Sequence, residues 1–182
     1  PSSRYRVEQY IPYLRANGIT CIVRPFADPA FYRILYKNGM HLRKFLYFCV
    51  SLFRRKLDFF SALSCDVVFI HLEAFPFGPP VAEWLLAKLG KKIVYDLDDA
   101  IYLGSSSQTS RFIKLLKCSW KVPVIIRLRR YVITCNEYLS GYSSRFNPNV
   151  TVIHTSVDTE RFKPVAKDKV LSEAKGASDV LT

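Results

Sequence analysis

Apolar and polar positions along this chain follow two rhythms, one near the helical period of 3.6 and one of short continuous runs. Residues 4–17 carry Val7, Tyr10, Ile11 and Leu14 at helical spacing, with Ser3 as N-cap and Asn17-Gly18 as the stop. Ile19 to Val23 then predicts a short strand. The helical period returns from Met40 to Leu63, with Leu42, Phe45, Leu46, Cys49, Leu52, Phe53 and Phe60 on one face. Arg43, Lys44, Tyr47, Ser51, Arg54, Arg55 and Asp58 take the other face, so the expectation is an apolar side turned inward and a basic side turned out. Val67–Ile70, Ile93–Tyr95, Val132–Cys135 and Val150–Ile153 are short and almost wholly apolar, as strands buried on both faces are. Pro79-Pro80 pre-sets a helix carrying Val81, Leu85 and Leu89, and Gly90 stops it. A Ser-rich loop covers 104–110, a basic and apolar helical stretch follows and breaks near Pro123, and residues 137–146 predict another helix.

Strands alternating with helices predict an α/β domain, a Rossmann-like parallel sheet with helices on both faces. Such a domain opens on a strand, whereas here a helix cap comes at once. The expectation is therefore that the first strand is missing and, with its loop, precedes Pro1. From Lys167 to Thr182 the chain is polar and the strand rhythm is lost, which places the domain at 1–164 and a linker or tail at 165–182.

Composition narrows the class. In 182 residues, 49% hydrophobic and 23% charged, with only 7 Gly and 10 Pro, a disordered or collagen-like chain is excluded. The five cysteines are odd in number and form no C-x-x-C pair, which points to free thiols in a reducing, cytoplasmic compartment and away from a zinc site. The opening Pro1-Ser2-Ser3-Arg4 leads into no apolar signal core. The apolar run Phe45–Phe53 is far shorter than the ~20 residues a membrane span requires.

In an open parallel sheet, ligands bind outside the carboxyl ends of the strands. His71 and Glu73 follow the first of the four apolar runs, and Asp96, Asp98 and Asp99 the second. Asn136 and Glu137 follow the third, and His154, Thr155 and Ser156 the fourth. The segment Asp96-Leu97-Asp98-Asp99 admits three chemistries. Paired carboxylates hold a divalent cation against a diphosphate, an aspartate nucleophile with a second acid serves phosphatases, and a carboxylate cluster accepts hydrogen bonds from sugar hydroxyls. The phosphatase pattern normally has a hydroxyl residue where Ala100 stands and sits on the opening strand.

The stretches Ser2-Ser3-Arg4-Tyr5-Arg6-Val7-Glu8-Gln9-Tyr10, Val94-Tyr95-Asp96-Leu97-Asp98-Asp99 and Val132 to Pro164 resemble a known family, the amino-terminal domain of GT-B glycosyltransferases of group 1 (family four). The closing part carries most of the likeness: Asn136-Glu137-Tyr138-Leu139, Arg145-Phe146-Asn147-Pro148-Asn149-Val150, and Val157-Asp158 with Phe162-x-Pro164. The resemblance implies one half of a GT-B architecture, two facing Rossmann-like domains that move a sugar from a nucleotide-sugar donor to an acceptor hydroxyl, mostly with retention. It implies a lipid-linked or polysaccharide-precursor acceptor held by this domain, and a donor domain following it in the same chain. Alone, this stretch is expected to bind no cofactor and to be inactive; the nucleotide sugar is the co-substrate of the longer enzyme. No metal is expected at Asp96-Leu97-Asp98, because GT-B enzymes generally need none. The acceptor-binding set is then Asp96, Asp98, Asp99, His71, Glu73, Ser3, Arg4, Arg6, Asn136 and Glu137, with Asp96 the more structural of the acids. His154, Thr155 and Asp158 fall toward the domain boundary.

The charge gathers in two places. Residues 31–60 hold seven cations against Asp58, and residues 110–131 hold Arg111, Lys114, Lys117, Lys121, Arg127, Arg129 and Arg130 with no acid. Arg43, Lys44, Arg54, Arg55 and Lys56 are accordingly expected to face an anionic membrane surface, as a peripheral protein on its inner side would. The rival is a non-enzymatic anion-binding module. The acids at the strand ends and the lack of any nucleic-acid-binding motif argue against nucleic acid as its partner.

Overall fold

A computed structural model describes residues 2–35, 37, 39–103, 118, 120–159 and 163. In chain order the elements are α1 (Ser3–Arg6), a 3-10 turn (Glu8–Tyr10), α2 (Ile11–Ala16), α3 (Pro29–Leu35), α4 (His41–Leu63), β1 (Val67–His71), α5 (Val81–Lys88), β2 (Lys92–Leu97), a 3-10 turn (Ile101–Leu103), α6 (Lys121–Arg127), β3 (Tyr131–Thr134), α7 (Glu137–Ser143) and β4 (Val150–Val152). The four strands form one sheet in the order β1-β2-β3-β4, and every pair is parallel. The chain is thus an α/β protein of Rossmann-like type. The Ser-rich loop at 104–110 and the tail at 165–182 lie outside the described residues.

The core sits against one face of the sheet. Strand alternation sends Ile93, Tyr95 and Leu97 of β2 to that face, together with Ile70 of β1 and Val132 of β3, their neighbours in register. These pack with Leu86 of α5, Val122, Ile125 and Ile126 of α6, and Leu139 of α7, all at least nine-tenths buried. Val67 and Phe69 of β1 and Tyr131 of β3 point the other way and stay exposed. At the carboxyl end of that second face, His71 and Asp96 are register partners, so their side chains emerge side by side.

Three sequence expectations change. The helix read over 4–17 is broken into α1, a 3-10 turn and α2: Pro12 offers no N–H, and Val7 departs to φ −128°. Ser3 is not the cap. Ser2 stands at that position, and the Ser3 hydroxyl donates to Glu8 instead. Ile19 to Val23 forms no strand and is largely exposed; a β-branched run becomes a strand only where a ladder partner is at hand.

The third change is the orientation of α4, which keeps the expected helical period but turns the opposite face inward. Lys44, Tyr47, Phe48, Ser51, Arg55, Asp58, Phe59 and Ala62 face the body of the protein. Tyr47 stacks on Phe31 at 5.9 Å, Phe48 meets Phe26 and Phe77 edge-on, and Arg55 lies over the Phe26 ring while its Nη1 donates to the carbonyl of Arg24. Buried Ser51 allows close approach at the centre of this contact. The side read as the core stripe is outside. Arg55, expected among the outward cations, is turned in.

Candidate functional site at the carboxyl edge of the sheet

Asp96 is the node of a cluster drawn from four parts of the chain. Its carboxylate accepts from Arg6 Nε at 2.9 and 3.0 Å, pairs with Arg6 Nη2, and accepts from His71 Nδ1 at 2.7 Å. The Arg6 and Asp96 side chains are only 3% and 1% exposed, so the pair is buried and its partners cannot be replaced by solvent. Arg6 also reaches the loop after β4, where Nη1 donates to the carbonyl of Ile153 (2.8 Å) and to Thr155 Oγ1 (3.2 Å). One arginine from a four-residue helix therefore fastens α1 across the ends of β2 and β4.

The electrostatics follow from these contacts. Burial works to raise the Asp96 carboxyl, but the hydrogen bonds from His71 and Arg6 outweigh it and hold the acid below its ordinary value. The hydrogen bond to Asp96 raises the Arg6 guanidinium despite its burial. Burial is also the main reason the Cys135 thiol is pushed up, with Asp98 adding to it and Arg6 opposing it. Since the Asp96 oxygens accept from Arg6 and His71 at 1% exposure, the residue is badly placed to act as a phosphatase nucleophile.

His71 faces outward from this anchor. A neutral ring that donates Nδ1–H to Asp96 presents Nε2 as an acceptor. That nitrogen lies 3.0 Å from Ser2 Oγ and 3.9 Å from Asp98 Oδ2. The other Asp98 oxygen is buried and has no hydrogen-bond partner among the described residues. Directly after His71 the chain turns through Leu72 in the left-handed region (φ 61°), a conformation that side chains rarely adopt. The turn is held by Leu72 N–H to the Asp96 carbonyl (2.9 Å) and Glu73 N–H to the His71 carbonyl (2.8 Å). Backbone strain of this kind is typical of positions where the surroundings over-determine a site.

Of the residues singled out in the sequence, His71, Asp96, Asp98, Arg6 and Thr155 come together here. The others have contacts or positions of their own. Glu73 pairs with Lys121 Nζ at 3.1 Å, and that ammonium, 1% exposed, also donates to the Phe75 carbonyl at 2.8 Å. Asp99 is exposed and accepts from the N–H of Ala100. Asn136 is the N-cap of α7, its Oδ1 accepting from the N–H of Leu139 at 2.9 Å, and Glu137 is exposed in the first turn of that helix. His154 Nδ1 is 3.0 Å from the carbonyl of Cys135, Arg4 is exposed, and Asp158 is exposed beyond β4. Beside the cluster, Tyr102 stacks on Tyr142 of α7 with ring centroids 3.6 Å apart.

Sequence reasoning missed Ser2 and Lys121. A lone cation ahead of the apolar run Val122-Pro123-Val124-Ile125-Ile126 is the signal that could have marked Lys121 as buried. Ser2 carries no such signal, because its partner is 69 residues away. Two shallow clefts, one lined by Arg15, Gly18, Ile19, Thr20 and Cys21 and one by Asp28, Leu46, Tyr47, Val50 and Ser51, involve none of the cluster residues. Among the described residues, no group of three His, Cys, Asp or Glu side chains is placed to hold a metal ion, and no helix is long and apolar enough to cross a membrane. No protein-family model matches the chain, and no curated protein matches it at a significant level.

Proposed function

We propose that this chain is the amino-terminal, acceptor-side domain of a glycosyltransferase that moves a sugar from a nucleotide-sugar donor to an acceptor hydroxyl. The observation that carries the reading is the His71–Asp96 pair at the carboxyl edge of a parallel sheet, oriented by Arg6 and aimed at a hydroxyl 3.0 Å away. On this reading the acceptor hydroxyl takes the position beside His71 Nε2 that the Ser2 hydroxyl now marks. His71 accepts its hydrogen as the oxygen bonds to the anomeric carbon and the bond from that carbon to the nucleoside diphosphate breaks, with inversion. The diphosphate leaves on the donor side, and buried Asp96 stabilises the imidazolium that forms. The unpartnered Asp98 oxygen offers an acceptor for a second sugar hydroxyl. The nucleotide sugar belongs to a donor-side domain following this one, and Asp96-Leu97-Asp98 holds no metal in this scheme.

The test is transfer of label from a panel of radioactive nucleotide sugars to a lipid and polysaccharide extract, using the protein that joins this domain to its donor-side domain. His71→Ala is expected to lower transfer by about 10²–10⁴-fold. Transfer by His71→Ala equal to wild type, or no transfer from any donor, overturns the proposal. A second reading is favoured by one specific observation, the line Ser2–His71–Asp96, which has the spacing of a nucleophile, its base and the group orienting the base. A fluorophosphonate that labels Ser2 would move the assignment to acyl transfer.

A further inference from the structure

Helix α4 presents to solvent a face that a helix packed only against its own domain would bury. Leu42, Phe45, Leu46, Val50, Phe53, Leu57 and Phe60 are all more than half exposed, and Leu42 reaches 72%. At 100° per residue these seven, with Cys49, fall on one continuous arc of about 140°. From Leu42 to Phe60 the stripe runs about 27 Å along the helix. Exposed Arg43 and Arg54 border it on one side, and exposed Lys56 stands about 20° inside its opposite edge, between Phe45 and Cys49. The one acid of the helix, Asp58, is turned to the packed side, where it meets Arg24 and Arg55. Arg54 is shared with Asp28 at 2.8 Å, and among the described residues Arg43 and Lys56 meet no acid.

We infer that α4 is an interfacial membrane anchor, lying in the plane of an anionic bilayer with this stripe among the acyl chains. The charge pattern selects the occupant. An apolar arc flanked by Arg43 and Arg54 and carrying Lys56, with Asp28 the acid beside it and paired to Arg54, on a chain of net charge +12, complements a surface of anionic headgroups. A second copy of the same helix would bring Arg43 and Lys56 against their own kind, which disfavours a homodimer. The 23 residues of this helix are enough to cross a bilayer, but with Arg43, Lys44, Arg54, Arg55, Lys56 and Asp58 it is not apolar enough to do so. The inference differs from the sequence expectation in that the apolar face makes the contact and the cations accompany it. It does not depend on the glycosyltransferase reading.

The experiment is co-sedimentation of the full chain with vesicles of phosphatidylcholine alone or mixed equally with phosphatidylglycerol, at low and at physiological salt. Wild type is expected to partition about tenfold better to the anionic vesicles at low salt. Phe45→Ser/Phe53→Ser/Phe60→Ser, with circular dichroism unchanged, is expected to lose at least about tenfold of that binding. Arg43→Gln/Lys56→Gln is expected to keep weak binding and to lose the preference for anionic lipid. A wild-type protein that ignores both vesicle types overturns the inference. So does a triple-serine variant that binds as well as wild type, or a wild-type dimer that Phe53→Ser converts to monomer without affecting lipid binding.

Discussion

Replacing Arg6 by methionine isolates what the buried ion pair does for the fold. Methionine fills most of the same channel, so the cavity contribution stays small. What is lost is the cation facing an Asp96 carboxylate that is 1% exposed, together with the donors to Ile153 and Thr155. Removing one partner of a buried pair leaves an uncompensated charge and costs about 3–5 kcal/mol. For a chain of this length that corresponds to a fall of about 6–20 °C in Tm. Urea titration followed through Trp84 and Trp120 measures the loss, with the slope reporting whether the folded state stays compact. Asp96→Asn keeps an acceptor for His71 while removing the charge. Arg6→Met/Asp96→Asn should therefore be more stable than the sum of the single changes predicts, by at least about 1 kcal/mol. A cost below about 1 kcal/mol for Arg6→Met, or strict additivity in the double variant, would refute the reasoning.

Further outcomes follow from the same geometry. Because Asp96 is held below its ordinary value of 3.8, it contributes stability above that pH and loses it as pH falls through its own lower value. Acid denaturation curves should converge for wild type and Asp96→Asn at the acid end. Lys121→Met keeps the aliphatic stem but strips the donor from the Phe75 carbonyl and the cation from Glu73, for a loss of about 1–3 kcal/mol in urea titration. Asn136→Ala removes the cap of α7 and should cost about 1 kcal/mol in the same titration, whereas Asn136→Asp restores most of it. Arg129 is buried with no hydrogen-bond partner on any guanidinium nitrogen among the described residues, and burial pushes its pKa down to about 10. Glu83, equally buried, lies near enough to oppose that shift. Glu83→Gln/Arg129→Met should leave stability within about 1 kcal/mol of wild type or raise it by calorimetry.

The four strands were legible because each is a short apolar run, a pattern that survives in any parallel sheet covered on its core face. Their observed limits differ from the sequence reading by one or two residues, as at Tyr131–Thr134 against Val132–Cys135. The orientation of α4 was not legible. Its sequence carries two apolar sides: one of Leu42, Phe45, Leu46 and Phe53, and a second of Tyr47, Phe48 and Phe59 mixed with Ser51 and Asp58. Periodicity ranks the first side higher, but aromatic partners at Phe26, Phe31 and Phe77, distant in sequence, decide for the second. The strand ends direct attention to the carboxyl edge of the sheet, where His71 and Asp96 lie side by side. Lys121 and Arg129 belong to the basic stretch 110–131, yet both are buried. Charge alone does not reveal which cations the fold takes inside. Ser2 and the left-handed Leu72 were beyond reach, since each depends on a neighbour that only the tertiary fold supplies.

Arg6 joins residues 90 and 147 positions away in the chain, while α1, the element that carries it, has only four residues. Contacts of such long sequence separation close large loops, and a helix this short has little cohesion of its own. The sheet can therefore stand while α1 detaches as a unit, a local opening far smaller than global unfolding. Each such opening removes Ser2 from His71 and leaves the imidazole bound to Asp96 but facing water. Assembly of the site and folding of the domain are in this sense separate events, and amide hydrogen exchange in residues 3–10 should run ahead of exchange in β2.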